Sequence, residues 1–486
     1  MTTSTSSHPR LLATLAALLV GLLIAMPGSV AAASDRAPDG PEKAITAQYD
    51  QMASVPAAFA VVDGDDTIFG GQEGAGPDTP FIIGSLSKSF TALTVLVLVQ
   101  RGELDLNQSV KSYLPDLPLE RAGEPVTLRH VLSHTAGISG ADCNKDGERA
   151  YDSLAARVDD LRGIRLESTP GNSFEYCNVG YAVLARIIEV QTGRSFAEVL
   201  HTDVLGPLGL NDTQTDLQKA RSAGLVEGLT TIMGFPVTRP ERAGDSALPD
   251  GYLVSTVRDL AEYARFQMGD GTGPNGTRLL SADLLHEMHT AQITVPGLPT
   301  EIASYGMGWF VGSENSHTVL WHGGTNYRYQ TDLAMLPADG RAVVSLAAGQ
   351  WLAGTKPLTD ATIAVLLHQN TEPSHMYLIA TLIIWLALGT LVATIACSLI
   401  RSRHRRATGQ RPRRWVAILL LLGAVLLPVV LTLPAIQELG SVERAWRFGW
   451  QAAPDVLALE LAWVLALFWI GLRALANSMN SRHSAP

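Results

Sequence analysis

The chain has 486 residues, 47% of them apolar, with 36 Lys/Arg against 46 Asp/Glu and a formal net charge of −10. That is too long for one ordinary domain and too apolar for a wholly aqueous protein, so part of it belongs in a membrane. Residues from 374 onward hold 11 Lys/Arg and 4 Asp/Glu, and one Arg precedes residue 34; residues 34–373 therefore keep 24 basic and 42 acidic side chains, a net of −18, which argues against nucleic acid or anionic polymers held by bulk charge.

Residues 1–33 read as a secretory signal: His8 and Arg10, an apolar core from Leu11 to Met26, then Pro27-Gly28 and the small-residue run ending at Ala33. A Pro/Gly/Asp-rich linker follows, then a helix over Pro41–Met52 and a hairpin of Ala57–Val62 and Thr67–Gly70 about an Asp63–Asp66 turn. The run Phe81–Phe90 leads into a strongly apolar helix, Thr91 to Arg101, that stops at Gly102 and carries Ser85 in its first turn. Helices are expected at Thr127–Leu132, Val179–Thr192, Phe196–Val204 and Thr256–Met268. Strands return at Gly306–Val311, Thr318–Trp321, Tyr329–Leu336 and Arg341–Ala347, and a helix over Lys356–His368 closes the domain. Strands at both ends with helices between them imply an α+β fold: one antiparallel sheet built from N- and C-terminal strands, flanked by helices, with a mainly helical insertion.

Beyond Pro373 three runs are long enough to span a bilayer, at about 376–400, 415–436 and 456–476. Tyr377, Trp415 and Trp450 stand near their ends as interfacial anchors. The arginine-rich loop from Arg401 to Arg414 belongs in the cytoplasm by the positive-inside rule, which puts residues 34–373 outside and agrees with the signal segment. Glu460, within the third run, either faces other helices or sits at a membrane end.

Three short stretches carry chemistry. Ser85 and Lys88 lie three apart on one helical face, where a half-buried lysine can take a serine's proton and free N–H groups at the helix start favour an oxyanion. Alone, such a pair is common enough to be two exposed side chains. Tyr176 and Asn178 precede a helix; the phenol is placed to share a proton with a serine, and the amide offers a donor and an acceptor, though a capped helix with a packed tyrosine gives the same pattern. His322-Gly323-Gly324-Thr325 follows a strand, where paired glycines admit a close backbone approach and the next N–H can face an oxyanion; a plain glycine turn is the bland alternative.

The order and spacing of Ser-x-x-Lys, Tyr-x-Asn and His-x-Gly resemble the superfamily of class C β-lactamases, D-alanyl-D-alanine carboxypeptidases and related esterases, over about residues 41–370. Val131–Ile138 and Gly251–Thr256 are similar to two further loops of that group. The resemblance implies Ser85 as acylated nucleophile and Lys88 with Tyr176 as shared base and acid. It also implies Asn178 on the substrate amide, the N–H groups of Ser85 and Thr325 beside Gly324 as oxyanion hole, and His322 lining the pocket. Ser133 and His134 are adjacent and look structural. His322 departs from the usual lysine; a neutral imidazole is a poorer partner for a carboxylate, which favours ester or peptide over efficient β-lactam hydrolysis. Cys143 and Cys177 share the exported domain, where a disulfide fits an oxidising compartment and a pairing found in relatives; Cys397 has no evident partner.

His and Cys residues are scattered without metal-ligand spacing, no G-x-G-x-x-G follows a strand, no G-x-S-x-G elbow is present, and no motif implies a cofactor. The expectation is a membrane-anchored serine hydrolase cleaving a D-amino-acid peptide, β-lactam or ester, with membrane lipid as its other partner and no nucleic acid. The alternatives are a penicillin-binding sensor that is acylated without turnover and a domain that only binds cell-wall peptides.

Overall fold

In the computed structural model, Ala57–Asp63 (β1) and Asp66–Gln72 (β2) pair as the expected hairpin, with Asp63 opposite Asp66 and Gly64 at a positive φ of 58°. The structure describes residues 55–143, 151–233, 235–238, 245–296, 303–314, 317–326, 328–349, 362–367, 376–408 and 454–479, with positions 45, 418, 421 and 422. The signal segment, most of the 41–52 and 356–368 helices and nearly all of the 415–436 run lie outside these residues. Two compact units emerge, one of Ala32–Thr230 with Pro236–Ser374, the other holding His375–Pro486.

The first unit contains an eight-stranded sheet. Its later strands are Ile293–Thr294 (β3), Ser304–Tyr305 (β4), Phe310–Glu314 (β5), His317–Thr325 (β6), Gln330–Leu336 (β7) and Arg341–Ala347 (β8). The order β2-β1-β8-β7-β6-β5-β4-β3 places the N-terminal hairpin directly against the last strand, so the sheet is assembled from both ends of the domain, every pairing antiparallel. Every residue of β7 is buried, the signature of a strand covered on both faces.

Ser87–Gln100 (α1) is buried from Ser87 through Leu98, which explains an apolar sequence with no polar face: the helix is an interior one. Its hydroxyls are satisfied locally or by neighbours. Ser89 Oγ donates to Leu86 O at 2.8 Å, Thr94 Oγ1 to Phe90 O at 2.8 Å, and Thr91 Oγ1 to Pro249 O at 2.7 Å. The insertion between the two strand groups contributes Leu154–Asp159 (α2) and Asn178–Thr192 (α3), and Val257–Met268 (α4) packs on β1, β7 and β8. Ala282–His289 (α5), N-capped by Ser281, is a helix the sequence reading lacked.

Three expectations are corrected. Ser85 sits in a 3-10 turn, Gly84–Leu86, just before α1 rather than in its first turn, because Gly84 takes a φ of +53°. Gly306–Val311 is not one strand: β4 and β5 flank a turn at Gly308, whose φ of +78° breaks the run. β6 continues through His322–Thr325 instead of ending at Trp321, since glycines at 323 and 324 remain extended against β7.

The second unit holds Met376–Thr408 (α6) and Pro454–Met479 (α7), which touch one another. Among the described residues these two helices are long and apolar enough to cross a membrane, by length and composition. Leu386 and Leu465 are 69% and 66% exposed, an unfavourable arrangement in water and an ordinary one in lipid. The first part of the arginine-rich segment extends α6, as no Gly or Pro interrupts residues 401–408.

Candidate functional site

Phe81-Ile82 pairs with Val254-Ser255, and Ile83 N donates to Leu253 O at 2.9 Å; the chain then turns at Gly84 and enters α1. This strand, turn and helix hold Ser85 half-buried and Lys88 fully buried. Lys88 Nζ donates to Ser85 Oγ at 3.1 Å and to the main-chain O of Asp250 at 2.8 Å. An amine so placed can take the serine proton once it is itself neutral.

Tyr176 is half-buried, its ring centroid 4.9 Å from Lys88 Nζ; Tyr181, one turn along α3, stands 5.8 Å away. Asn178 is the first residue of α3, also half-buried. The stretch from Val131 to Cys143 fixes this segment, and Glu175 N donates to His134 O at 2.8 Å. Cys177 is joined to Cys143 by a disulfide, and Cys177 N donates to Nδ1 of the buried His134 at 3.1 Å. His134 therefore carries its proton on Nε2 when neutral, and its ring lies 4.4 Å from that of Tyr176. Burial, then the Lys88 charge, lower its pKa well below the usual imidazole value. Ser133 Oγ is turned to Arg129 O and Thr135, so Ser133 and His134 form no nucleophile–base pair.

The third element is the free end of β6. Asn326 N donates to Tyr329 O on the β7 side, and N–H direction alternates along a strand, so Thr325 N–H points away from β7. On that side the pairing with β5 stops at Phe310 and Trp321. The 3-10 turn occupies the space: a Cβ on Gly84 would lie 2.6 Å from Thr325 N, and one on Gly324 would lie 3.0 Å from Ser85 N. Both positions need glycine, and the contact brings the main chain at Ser85 close to that at Thr325. Main-chain N–H donors at such a place can hold a developing oxyanion.

His322 is buried in β6. Its Nδ1 donates to Gly323 O at 2.7 Å, which leaves Nε2 to accept from Tyr305 O–H at 3.1 Å. Burial and then the Lys88 charge push its pKa down to about 3, so at neutral pH it is an uncharged ring tied to a phenol. Ser85, Lys88, Tyr176, Gly324, Thr325 and His322 thus gather in one region, with Asn178 on the same segment as Tyr176. Sequence reasoning missed Tyr305 and the Asp250 carbonyl. The first carries no motif signal, and the second is a backbone atom any residue could supply.

A family model described as Beta-lactamase matches residues 42–373. The chain is 37% identical over 210 residues to penicillin-binding protein 4 of Amycolatopsis lactamdurans, covering 42% of this chain and 55% of that protein, so it spans about half the length of this curated relative. It is similar to the octameric penicillin-binding protein homologue from Pyrococcus abyssi, at 25% identity and a TM-score of 0.60 over 68% of this chain and 77% of that one. It shares its fold with D-amino acid amidase from Ochrobactrum anthropi SV3, at 22% identity and a TM-score of 0.56 over 68% and 99%. With the family match spanning well over half of its length, the chain belongs to the β-lactamase family of serine hydrolases.

Proposed function

We propose that this protein is a membrane-anchored serine hydrolase that forms an acyl-enzyme on Ser85 and cleaves an amide or ester bond. The observation that carries the reading is Lys88 Nζ at 3.1 Å from Ser85 Oγ, where the Gly84–Ser85 main chain closely approaches Gly324–Thr325. Lys88, with Tyr176 next to it, takes the Ser85 proton as Oγ attacks the carbonyl carbon. The carbonyl oxygen becomes an oxyanion held by the N–H groups of Ser85 and Thr325, and the leaving group departs with a proton returned through Tyr176. Asn178 holds the substrate amide. Water, activated by the same pair, then adds to the ester and frees Ser85.

The substrate class follows from what the pocket offers. His322 is neutral and already bonded to Tyr305, so it presents no fixed cation to a substrate carboxylate. That favours D-amino-acid amides, peptides and esters over efficient β-lactam turnover, while the relative named penicillin-binding protein 4 supports penicillin as an acylating probe. Residues 34–373 form the extracytoplasmic catalytic domain after a signal at 1–33, and residues 374–486 anchor it through three spans with the 401–414 loop in the cytoplasm. The apolar, lipid-suited surfaces of α6 and α7 support the anchor.

The test is intact mass of detergent-purified full-length protein incubated with a fluorescent penicillin and, separately, an activated ester. An adduct that forms and decays with product release is expected in the wild type and absent in a folded Ser85→Ala variant. Unchanged labelling in Ser85→Ala would sink the assignment. A permanent adduct would replace hydrolysis by the acylated-sensor alternative.

A further inference from the structure

The Asp250 carbonyl that receives Lys88 belongs to a loop fixed from α2. Arg157 on α2 donates from Nη1 to Asp250 Oδ1 at 2.6 Å and from Nη2 to Oδ2 at 3.1 Å, and Nη1 also reaches Ser246 O at 2.6 Å. The two side chains are 5% and 9% exposed. A two-pronged contact of this kind fixes orientation as well as distance, because the planar guanidinium matches the carboxylate at two points. The flanking attachments of the loop are neutral: Pro249 O accepts from Thr91, and Leu253 N donates to Ser87 Oγ at 3.2 Å. The charged contact falls on Asp250 itself, the residue whose own carbonyl meets the amine.

We propose that Arg157 and Asp250 form a positioning pair for Lys88: the buried fork fixes the Asp250 backbone, and its carbonyl aims Nζ at Ser85 Oγ. The proposal rests on the reading of Ser85 as the acylated nucleophile. Lysine is a point charge on a flexible four-carbon stem, so one hydrogen bond to Ser85 leaves it free to swing. A second acceptor, the Asp250 carbonyl, removes that freedom. If the carbonyl rotates with its side chain unclamped, Ser85 keeps its place and substrate binding is untouched, but the proton acceptor drifts.

Three variants of the full-length protein test this. Arg157→Met removes the fork. Arg157→Met with Asp250→Leu replaces the buried ion pair by apolar packing, an exchange that folded proteins tolerate. Arg157→Lys restores charge without the fork. In the double variant the first-order acylation constant with the activated ester is expected to fall about tenfold to a hundredfold, the range a misplacement on the order of 1 Å produces. Half-saturation should stay the same, and Arg157→Lys should lie between the double variant and wild type. Acylation of the folded double variant within about twofold of wild type would overturn the proposal and leave the pair a structural one. If the wild type is not acylated at Ser85, the functional reading fails, and the positioning claim is judged separately. The readout is then the 13Cε resonance of Lys88, identified by its loss in Lys88→Met. A resonance moved in the double variant supports positioning, and one unmoved refutes it.

Discussion

Replacing Gly324 by alanine probes the contact on which the site is built. The added methyl would land on the Ile83 carbonyl, 2.9 Å from its carbon and 3.0 Å from Ser85 N. Carbon atoms settle about 3.5–4.0 Å apart, so the strand and the turn must separate by about 1 Å. β6 is held in register by β7 through Thr325 and Gln330, and Ile83 is tied to Leu253, so the displacement falls on the Gly84–Leu86 turn and carries Ser85 with it. Separating the two N–H donors by that amount should slow acylation about a hundredfold, about 2.7 kcal/mol of transition-state stabilisation. Overpacking should also lower stability by about 1–3 kcal/mol. Gly76→Ala is the matched control, since its Cβ meets nothing within 4 Å. The assay is the burst of product from an activated ester, read at a temperature where both variants are folded by circular dichroism. A folded Gly324→Ala that acylates within about threefold of wild type would refute the argument, because a shift on the order of 1 Å could then not lie between the donors.

The neutral state of His322 makes stability pH-dependent with a definite sign. Its folded pKa of about 3 lies below the ordinary 6.5, so the contribution is full above pH 6.5 and is lost as pH falls toward about 3, where only the unfolded ring binds a proton. At pH 5 this amounts to about 2 kcal/mol, and His322→Gln should remove that share of the difference between denaturation at pH 7.5 and pH 5. An unchanged difference would contradict it. The Cys143–Cys177 disulfide closes a loop with a sequence separation of 34, which stabilises by about 4 kcal/mol on chain entropy. Cys143→Ala with Cys177→Ala should therefore melt lower and, because Cys177 lies between Tyr176 and Asn178, acylate more slowly even when folded. Matching rates in the variant and wild type would show that His134 holds the segment without the bridge.

What the sequence disclosed was what short range determines. The spacing of Ser85 and Lys88 lets the two side chains meet in a 3-10 turn as in an α-helix, so a start at Ser87 rather than at or before Ser85 does not affect the pair. The β1–β2 hairpin and the helix over Asn178–Thr192 were equally legible, because turn chemistry and periodicity are local. The Gly306–Val311 strand failed for the complementary reason: its break depends on Gly308 passing close to α1, where a Cβ would be 3.0 Å from Ser89 Cα, and that neighbour lies far away in the chain.

The parts that stayed hidden share a physical cause. Lys88 is held by a main-chain carbonyl 162 residues away, and that carbonyl is oriented by an arginine 93 residues before it. A carbonyl is common to all residues, so no pattern marks it, and a buried Arg–Asp pair reads in sequence like any two surface charges. Gly324 illustrates the intermediate case. Its residue type announces a close approach without saying to what, and only the fold names Ile83 and Ser85 as the partners. The ordered motifs therefore locate the chemistry, whereas the accuracy of its alignment is set also by residues outside every motif. Substitutions at Arg157 or Gly308 should consequently lower the acylation rate while leaving all the motif residues in place.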